Sequence, residues 1–212
     1  MAIHLVVLDF DGVLIESAQI IELAKRAGKL PELIAIIKRA TNDIVSARLY
    51  HLEAIRLLKG LSYEEVSTIG KSFVLMPGAQ QLITRLKTSG IQTAVITNGY
   101  TVTARHVQVE LGIDRLYAND LVFKDGLATG ELEEQVVDDS AKAIALRNLL
   151  AIEGLSKDEC AAVGDGINDY PLLKEAGLAI GFNPDALLRP LVKTVIDEKN
   201  LERVADLILS RR

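Results

Sequence analysis

The sequence has little of what marks a cross-linked, membrane-spanning or nucleic-acid-binding chain. It contains one cysteine, Cys160, so no internal disulfide can form. No apolar run reaches the length of about 20 residues that a membrane span needs. Lysine and arginine total 24 against 29 acidic residues, for a net charge of -5, and no basic stripe is interleaved with aromatic residues. We therefore expect neither a membrane nor a nucleic acid as a partner.

The composition favours a globular protein of the cytoplasm. No basic-plus-apolar export signal precedes the first predicted strand, which begins at residue 3. With 212 residues, of which 49% are apolar, the chain can bury a substantial core without disulfides. That length allows one large domain that carries an insertion.

The first predicted strand ends in two carboxylates. The apolar run Ile3–Leu8 is followed by Asp9 and Asp11, with Gly12 directly behind them. Alternation along an extended chain puts both acids on one side, and the glycine lets the backbone turn away, which leaves the pair at the carboxyl end of the strand. Ligands of open α/β sheets bind at that end. Two close carboxylates repel each other, so the pair predicts a bound divalent cation or one protonated acid, although a polar turn is the simpler interpretation of this motif alone.

From Pro77 onward, predicted strands alternate with helices over short connections. This pattern predicts an α/β fold with a right-handed, doubly wound, mostly parallel (Rossmann-like) sheet. Asp125-Gly126 is a predicted hairpin turn that joins 121–124 to 127–132. The other predicted strands are 91–97, 116–118, 161–163, 178–181 and 194–196, and the predicted helices are 77–89, 102–111, 139–152 and 168–176.

Residues 17–73 differ from the rest of the chain, because they show short amphipathic helices and no convincing strand. Ser62 and Glu65 form a predicted capping box within this segment. We expect residues 1–14 and 77–212 to form the Rossmann-like catalytic core, and residues 15–76 to form an inserted helical cap that is hinged on the core as a lid.

Three further polar features lie where predicted strands end or helices begin. Thr97-Asn98-Gly99 offers a hydroxyl, an amide and backbone N–H groups to anionic oxygens. Lys142 lies in the first turn of the helix over 139–152, where a cation opposes the helix dipole and a bound phosphate would compensate for it. Gly164-Asp165-Gly166 follows an apolar strand, and Asp169 follows at the next helix start. Each feature alone is commonly a turn, a solvated lysine or a cap, but a doubly wound sheet brings all three to the edge that carries the first acid pair.

These segments together resemble the haloacid dehalogenase superfamily of phosphohydrolases, most closely its phosphoserine phosphatase branch. The resemblance covers nearly the full chain. Its motifs are D-F-D-G-V, I-T-N-G, D-S-A-K and V-G-D-G-I-N-D, and V-F-K-D-G-L-A-T-G-E is similar to the hairpin of that branch. The resemblance implies a Mg²⁺-dependent phosphomonoesterase that acts on a small phosphorylated metabolite.

The resemblance also implies a role for each matching residue. Asp9 would be the nucleophile that forms an aspartyl-phosphate, and Asp11 would be the general acid that later activates water. Mg²⁺ would be held by Asp9, the backbone carbonyl of Asp11 and Asp165, and Asp169 would orient these ligands. The residues implied to bind the substrate are Thr97, Asn98, Lys142 and Asn168.

The chain departs from the branch where phosphoserine is recognised. Phosphoserine phosphatases use a glutamate after the first motif and an arginine in the cap to hold the amino acid, and the closest gapless register puts Ala18 and approximately Ala54 there. Neither can bind a zwitterion. Glu16 and Arg48 are then candidates for selecting the substrate. Arg48 shares the apolar face of a predicted helix over 43–59, and its guanidinium either extends to the edge of that face or points into the cleft.

Other functions rest on related chemistry. A phosphomutase of the same superfamily would need the lid to shield an aspartyl-phosphate from water. A signalling receiver also combines acids, Mg²⁺, a hydroxyl residue and a lysine on a parallel sheet, but a second acid at Asp11 and a long helical cap argue against it. A binding module without activity is disfavoured because every catalytic position of the superfamily is occupied.

Overall fold

The computed structural model describes residues 2–42, 47–133 and 138–211, and the side chains of residues 41–48 lie outside the described part. Its strands are β1 (Leu5–Leu8), β2 (Gln92–Tyr100), β3 (Arg115–Asn119), β4 (Leu121–Lys124), β5 (Leu127–Leu132), β6 (Cys160–Gly164), β7 (Leu178–Phe182) and β8 (Thr194–Ile196). Six of them form a parallel sheet in the order β3-β2-β1-β6-β7-β8, and β4 pairs with β5 as an antiparallel hairpin. The predicted α/β fold with a Rossmann-like sheet is confirmed.

The first strand lies at the centre of the sheet, between β2 and β6. All four residues of β1 are buried, because helices cover both faces of a parallel sheet, and this burial explains the uninterrupted apolar run. Leu8 is in register with Val163 of β6. Asp9, which follows β1, and Gly164, the last residue of β6, therefore lie side by side at the same edge of the sheet.

The helices are α1 (Gln19–Arg26), α2 (Leu30–Asn42), α3 (Ala47–Arg56), α4 (Tyr63–Lys71), α5 (Ala79–Thr88), α6 (Thr101–Leu111), α7 (Asp139–Glu153), α8 (Tyr170–Leu173) and α9 (Glu202–Leu209). Helices α5, α6 and α9 pack with Val6 and Leu8 in one core cluster. Helices α7 and α8 pack with Leu5 and Val7 in another. Alternate residues of β1 thus enter the two cores, as the doubly wound arrangement requires. None of the described helices combines the length and the apolar character that a membrane crossing requires.

The described part of the segment before α5 is helical, as its sequence predicts, and it packs against the hairpin. Ser62 accepts a hydrogen bond from the backbone N–H of Glu65, and the Glu65 carboxylate accepts one from the N–H of Ser62, so the predicted capping box is present. Leu58 and Leu61 share a buried cluster with Leu121 of β4. The sequence analysis did not predict this contact. The division into a core and a cap at residues 15 and 77 stays a prediction.

Some element bounds differ from the sequence-based ones. Strand β2 continues beyond Thr97 to Tyr100, with a register shift against β3 after Ile96, because Tyr100 still pairs with Asn119 of β3. The helix predicted over 168–176 is shorter, since a 3₁₀ turn over Ile167–Asp169 replaces its first residues and α8 ends at Leu173. The helix predicted over 43–59 is observed as α3, and its predicted start lies outside the described residues.

Candidate active site

The two acids after β1 are placed by the strand and by one glycine. The backbone N–H of Asp9 donates to the carbonyl of Val163 at 2.9 Å, which continues the sheet pairing by one residue, and Asp9 is buried. Gly12 then adopts a left-handed conformation with φ of 73°. A Cβ atom at this position would overlap the carboxylate of Asp165. Glycine at position 12 therefore permits both the turn and the close approach of the late acidic loop.

Asp11 is partly buried, and its surroundings favour the protonated form of the carboxyl group. Its Oδ2 accepts a hydrogen bond from the backbone N–H of Gln19 at 3.2 Å, and its Oδ1 has no hydrogen-bond partner within the described part of the chain. Burial raises the pKa of Asp11 to about 6, although the hydrogen bonds from Gln19 partly oppose that rise. A carboxyl group with a pKa near neutrality can both give and take a proton.

Lys142 forms direct ion pairs with one acid that follows β1 and with one that follows β6. Its Nζ donates to Oδ1 of Asp9 at 2.9 Å and to Oδ1 of Asp169 at 2.7 Å, and its side chain is 1% exposed. Burial alone would lower the pKa of Lys142, but the charges of Asp169 and Asp9 outweigh it and hold the pKa above its usual range. The sequence analysis expected a phosphate to offset the unfavourable helix position of this lysine. In the structure, two carboxylates already do so.

The loop after β6 is held by Asp169. Oδ2 of Asp169 accepts hydrogen bonds from the backbone N–H groups of Asp165 at 3.0 Å and Gly166 at 3.3 Å. Because its other oxygen pairs with Lys142, this side chain fixes the loop and the lysine together. A Cβ atom at Gly164 would overlap Asp169, so the loop needs glycine there. Burial, and next the charge of Asp169, raise the pKa of Asp165 to about 7.

The acids that follow β1 and β6 form a cluster that fits a divalent cation. Asp9, Asp165 and Asp169 each offer a carboxylate oxygen, and these oxygens lie within 4.8 Å of one another. Burial and the charge of Asp169 raise the pKa of Asp9 well above its usual value despite the opposing effect of Lys142. Of these three acids, Asp9 and Asp169 pair with the buried Lys142, and a further cation would relieve the remaining repulsion within the cluster. Hard oxygen ligands of this kind suit Mg²⁺.

The residues predicted to hold the phosphoryl group line one small cavity with the first acid pair. This cavity has a volume of about 110 Å³. The predicted site residues in its wall are Asp9, Asp11, Thr97, Asn98, Lys142 and Asn168. The Thr97 hydroxyl oxygen is buried and accepts from the backbone N–H of Gly99 at 3.0 Å. The Asn98 amide nitrogen donates to Asp139 at 2.7 Å, and its Oδ1 has no partner within the described residues. The structure therefore brings these six residues to the edge of the sheet where Asp165 and Asp169 also lie.

The sequence analysis missed two residues that shape this cavity. Gln19 is buried and connects three parts of the chain. Its side-chain Oε1 accepts hydrogen bonds from the backbone N–H of Tyr100 and from the Thr103 hydroxyl. Its backbone N–H donates to Asp11. His51 lines the cavity and stacks on Tyr100, with ring centroids 6.3 Å apart and planes at 20°. Neither carries a local motif, and only the packing of helices α1 and α3 over the strand ends brings them there.

The residues considered for substrate selection have separate locations. Glu16 is exposed and lines a different groove, next to Val74. The side chain of Arg48 lies outside the described residues. Ala18 precedes α1 as its N-cap, and Ala54 is buried in the wall of a cavity beside the carboxylates. Glu16 therefore does not face the predicted site.

The site, the sheet order and the sequence agree with one enzyme family. Residues 6–174 match the family of haloacid dehalogenase-like hydrolases. The chain is 34% identical to a phosphoserine phosphatase of Archaeoglobus fulgidus over 97% of its own length and 60% of that protein's. It is 32% identical to a phosphoserine phosphatase of Methanocaldococcus jannaschii over 94% of its own length and 95% of that protein's. The chain belongs to the haloacid dehalogenase-like hydrolase family, which confirms the predicted family of hydrolytic enzymes.

Solved structures support the same assignment. A structure of a phospho-aspartyl intermediate analogue of phosphoserine phosphatase superposes with a TM-score of 0.90 at 32% identity, over 98% of this chain and 100% of that one. A substrate-bound phosphoserine phosphatase superposes with a TM-score of 0.90 at 31% identity, over 98% and 99% of the two chains. The predicted similarity to the phosphoserine phosphatase branch is confirmed in both sequence and fold.

Proposed function

We propose that the protein is a Mg²⁺-dependent phosphomonoester hydrolase that acts on a small phosphorylated metabolite through an aspartyl-phosphate on Asp9. The observation that carries this proposal is the cluster of Asp9, Asp165 and Asp169 at the edge of the sheet, with Lys142 paired to the first and the last of them. The names of its relatives, and the phospho-aspartyl analogue captured in one of them, support the same chemistry.

Asp9 is the nucleophile in this proposal. Its Oδ1 is held by Lys142, which keeps the carboxylate oriented and favours its charged form. An oxygen of Asp9 attacks phosphorus, and the bond between phosphorus and the ester oxygen breaks. Water then attacks the phosphorus of the aspartyl-phosphate, which releases inorganic phosphate and restores the carboxylate.

Asp11 moves the proton in both halves of the reaction. With a pKa of about 6, a fraction of Asp11 is protonated at neutral pH and can protonate the leaving alkoxide. The resulting carboxylate takes a proton from the attacking water in the second half. Gln19 binds Oδ2 of Asp11 and thereby keeps the acid aimed at the cavity.

The transferring phosphoryl group carries negative charge that the surrounding donors spread. Lys142, the Thr97 hydroxyl, the backbone N–H of Asn98 and the Asn168 side chain are the proposed donors, since all four residues line the small cavity. The carboxylates of Asp9 and Asp165 and the backbone carbonyl of Asp11 would hold Mg²⁺, while Asp169 positions the loop. When bound, Mg²⁺ neutralises charge on the carboxylates and the phosphoryl oxygens.

Matched substitutions of three aspartates test the proposal. Asp9→Asn should abolish Mg²⁺-dependent phosphate release and acid-stable labelling by a ³²P ester. Asp11→Asn should lower turnover by about 10²–10⁴-fold while still accumulating labelled enzyme, because nucleophile and acid are separate groups. Asp125→Asn in the exposed hairpin turn is the control, since asparagine tolerates the left-handed conformation there. Full turnover by Asp9→Asn would refute the proposal, and labelling of the native protein without repeated phosphate release would favour a receiver.

A further inference from the structure

A second cavity adjoins the phosphoryl site. It has a volume of about 250 Å³. Ile20, His51, Asn98 and Asn168 line both this cavity and the smaller one that contains the carboxylates. The organic part of an ester whose phosphorus lies at Asp9 therefore enters the second cavity, which we call the leaving-group cavity.

The walls of the leaving-group cavity are mainly aliphatic. Helix α2 contributes Leu33, Ile36 and Ile37, and α3 contributes Ala54. Leu33, Ile36 and Ala54 are buried, whereas Ile37 is 42% exposed at the rim. Such walls stabilise an apolar group, because its surface is removed from water when it contacts them. They offer no hydrogen bonds or charges to replace the water around a charged group.

The described lining of the leaving-group cavity contains no lysine or arginine. Its imidazole belongs to His51, whose pKa is lowered by burial, so the ring is mostly neutral at pH 7. Asp138 and Asp139 form another part of the wall. A substrate carboxylate would therefore be buried beside two acids and without a described counterion, which is strongly unfavourable.

The two acids of this wall already have hydrogen-bond donors within the chain. Asp138 Oδ1 accepts from the backbone N–H of Ala141 at 2.9 Å and caps α7. Asp139 Oδ1 accepts from the amide of Asn98 at 2.7 Å. Each acid therefore has a structural role through its Oδ1, and its presence does not by itself indicate a site for a substrate ammonium.

From these walls we infer the substrate class of the proposed phosphatase: a phosphomonoester of an apolar, uncharged alcohol the size of one aromatic ring or a short branched chain. This inference rests on the proposed function. A dry apolar cavity of about 150 Å³ accommodates benzene, and the leaving-group cavity is larger. His51 Nε2, which has no hydrogen-bond partner among the described residues, supplies a neutral polar contact at the junction with the phosphoryl site.

Steady-state kinetics with Mg²⁺ on four esters of primary alcohols test this inference: benzyl phosphate, methyl phosphate, O-phosphoserine and O-phosphoethanolamine. We expect kcat/KM for benzyl phosphate to exceed that for each of the other three by at least about tenfold. Equal or higher kcat/KM for O-phosphoserine or O-phosphoethanolamine would overturn the inference and leave the phosphatase proposal intact. If the protein hydrolysed none of the four esters, the phosphatase proposal itself would be refuted, and the substrate class with it.

Two isoleucines of α2 provide a matched pair of variants. Ile37 lines the cavity, whereas Ile34 does not, and they are similarly exposed at 42% and 44%. Ile37→Asp should lower kcat/KM for benzyl phosphate by at least about tenfold while changing that for methyl phosphate by less than about twofold. Ile34→Asp should leave both values unchanged. Equal losses in the two variants, or a loss on methyl phosphate as large as that on benzyl phosphate, would overturn the assignment of the cavity.

Discussion

Replacement of Lys142 by methionine tests the electrostatic account of the site most directly. The lysine side chain is 1% exposed and pairs with both Asp9 and Asp169. Removing one partner of a buried ion pair costs about 3–5 kcal/mol, because the remaining charges stay buried and uncompensated. Methionine keeps the length and the apolar stem of the side chain, so the loss reports on charge more than on packing.

The expected shift is large for a chain of this size. A domain of 150–250 residues loses about 2–4 °C of Tm for each kcal/mol, so Lys142→Met should lower Tm by about 6–20 °C. The loss should be greater at pH 8 than at pH 5. Without the lysine, the pKa of Asp9 rises still further above its unfolded value, and the folded state therefore loses stability as pH rises through that raised pKa.

Thermal unfolding followed by circular dichroism at both pH values measures these shifts. Arg147→Met is the control, because Arg147 also pairs with a carboxylate, Glu175 at 2.6 Å, but its side chain is 53% exposed. That exposed pair should contribute at most about 1 kcal/mol. If Lys142→Met lowered Tm no more than Arg147→Met, or showed no dependence on pH, the reasoning about the buried acids would be wrong.

Two further predictions concern the acidic loop. In the metal-free protein, Asp165 has a pKa of about 7, raised first by burial and next by Asp169, so stability is lost as pH rises from about 4 to 7. Asp165→Asn cannot ionise and should flatten this dependence of Tm on pH, and an unchanged slope would contradict the assignment. Gly12→Ala and Gly154→Ala both place alanine at a positive φ, at a cost of about 1–2 kcal/mol, but only at Gly12 would the added Cβ displace the Asp165 carboxylate. The affinity for Mg²⁺, measured by calorimetry, should therefore fall at least about tenfold in Gly12→Ala. It should stay unchanged in Gly154→Ala. Equal affinities in the two variants would count against Asp165 as a ligand.

The strands and their polar ends could be predicted because their signals are local. A parallel strand that is covered on both faces is apolar along its whole length, as in β1, and the acids and glycines that interrupt such runs mark strand ends. The structure confirms this pattern for the runs that lead to Asp9 and Asp165. Predicted bounds were less accurate at the end of β2, which extends beyond Thr97 to Tyr100, and at α8, where a 3₁₀ turn precedes a short helix.

The charge balance of the site could be predicted only in part. The position of Lys142 in the first turn of α7 indicated that a negative group must lie nearby, but not which one. The structure supplies Asp9 and Asp169, which are 133 and 27 residues away along the chain. Partners at such separations depend on how the strands are ordered in the sheet, and a single sequence carries no direct record of that order.

The sequence by itself determined the class of fold, the family and the edge of the sheet where the polar residues gather, because hydrophobic periodicity and glycine placement act over a few residues. Only the tertiary structure decided what surrounds that edge. Gln19, His51 and the aliphatic wall of α2 reach the carboxylates because helices α1 to α3 pack over the strand ends. That packing depends on contacts between distant segments, and the leaving-group cavity could therefore be identified only in the tertiary structure.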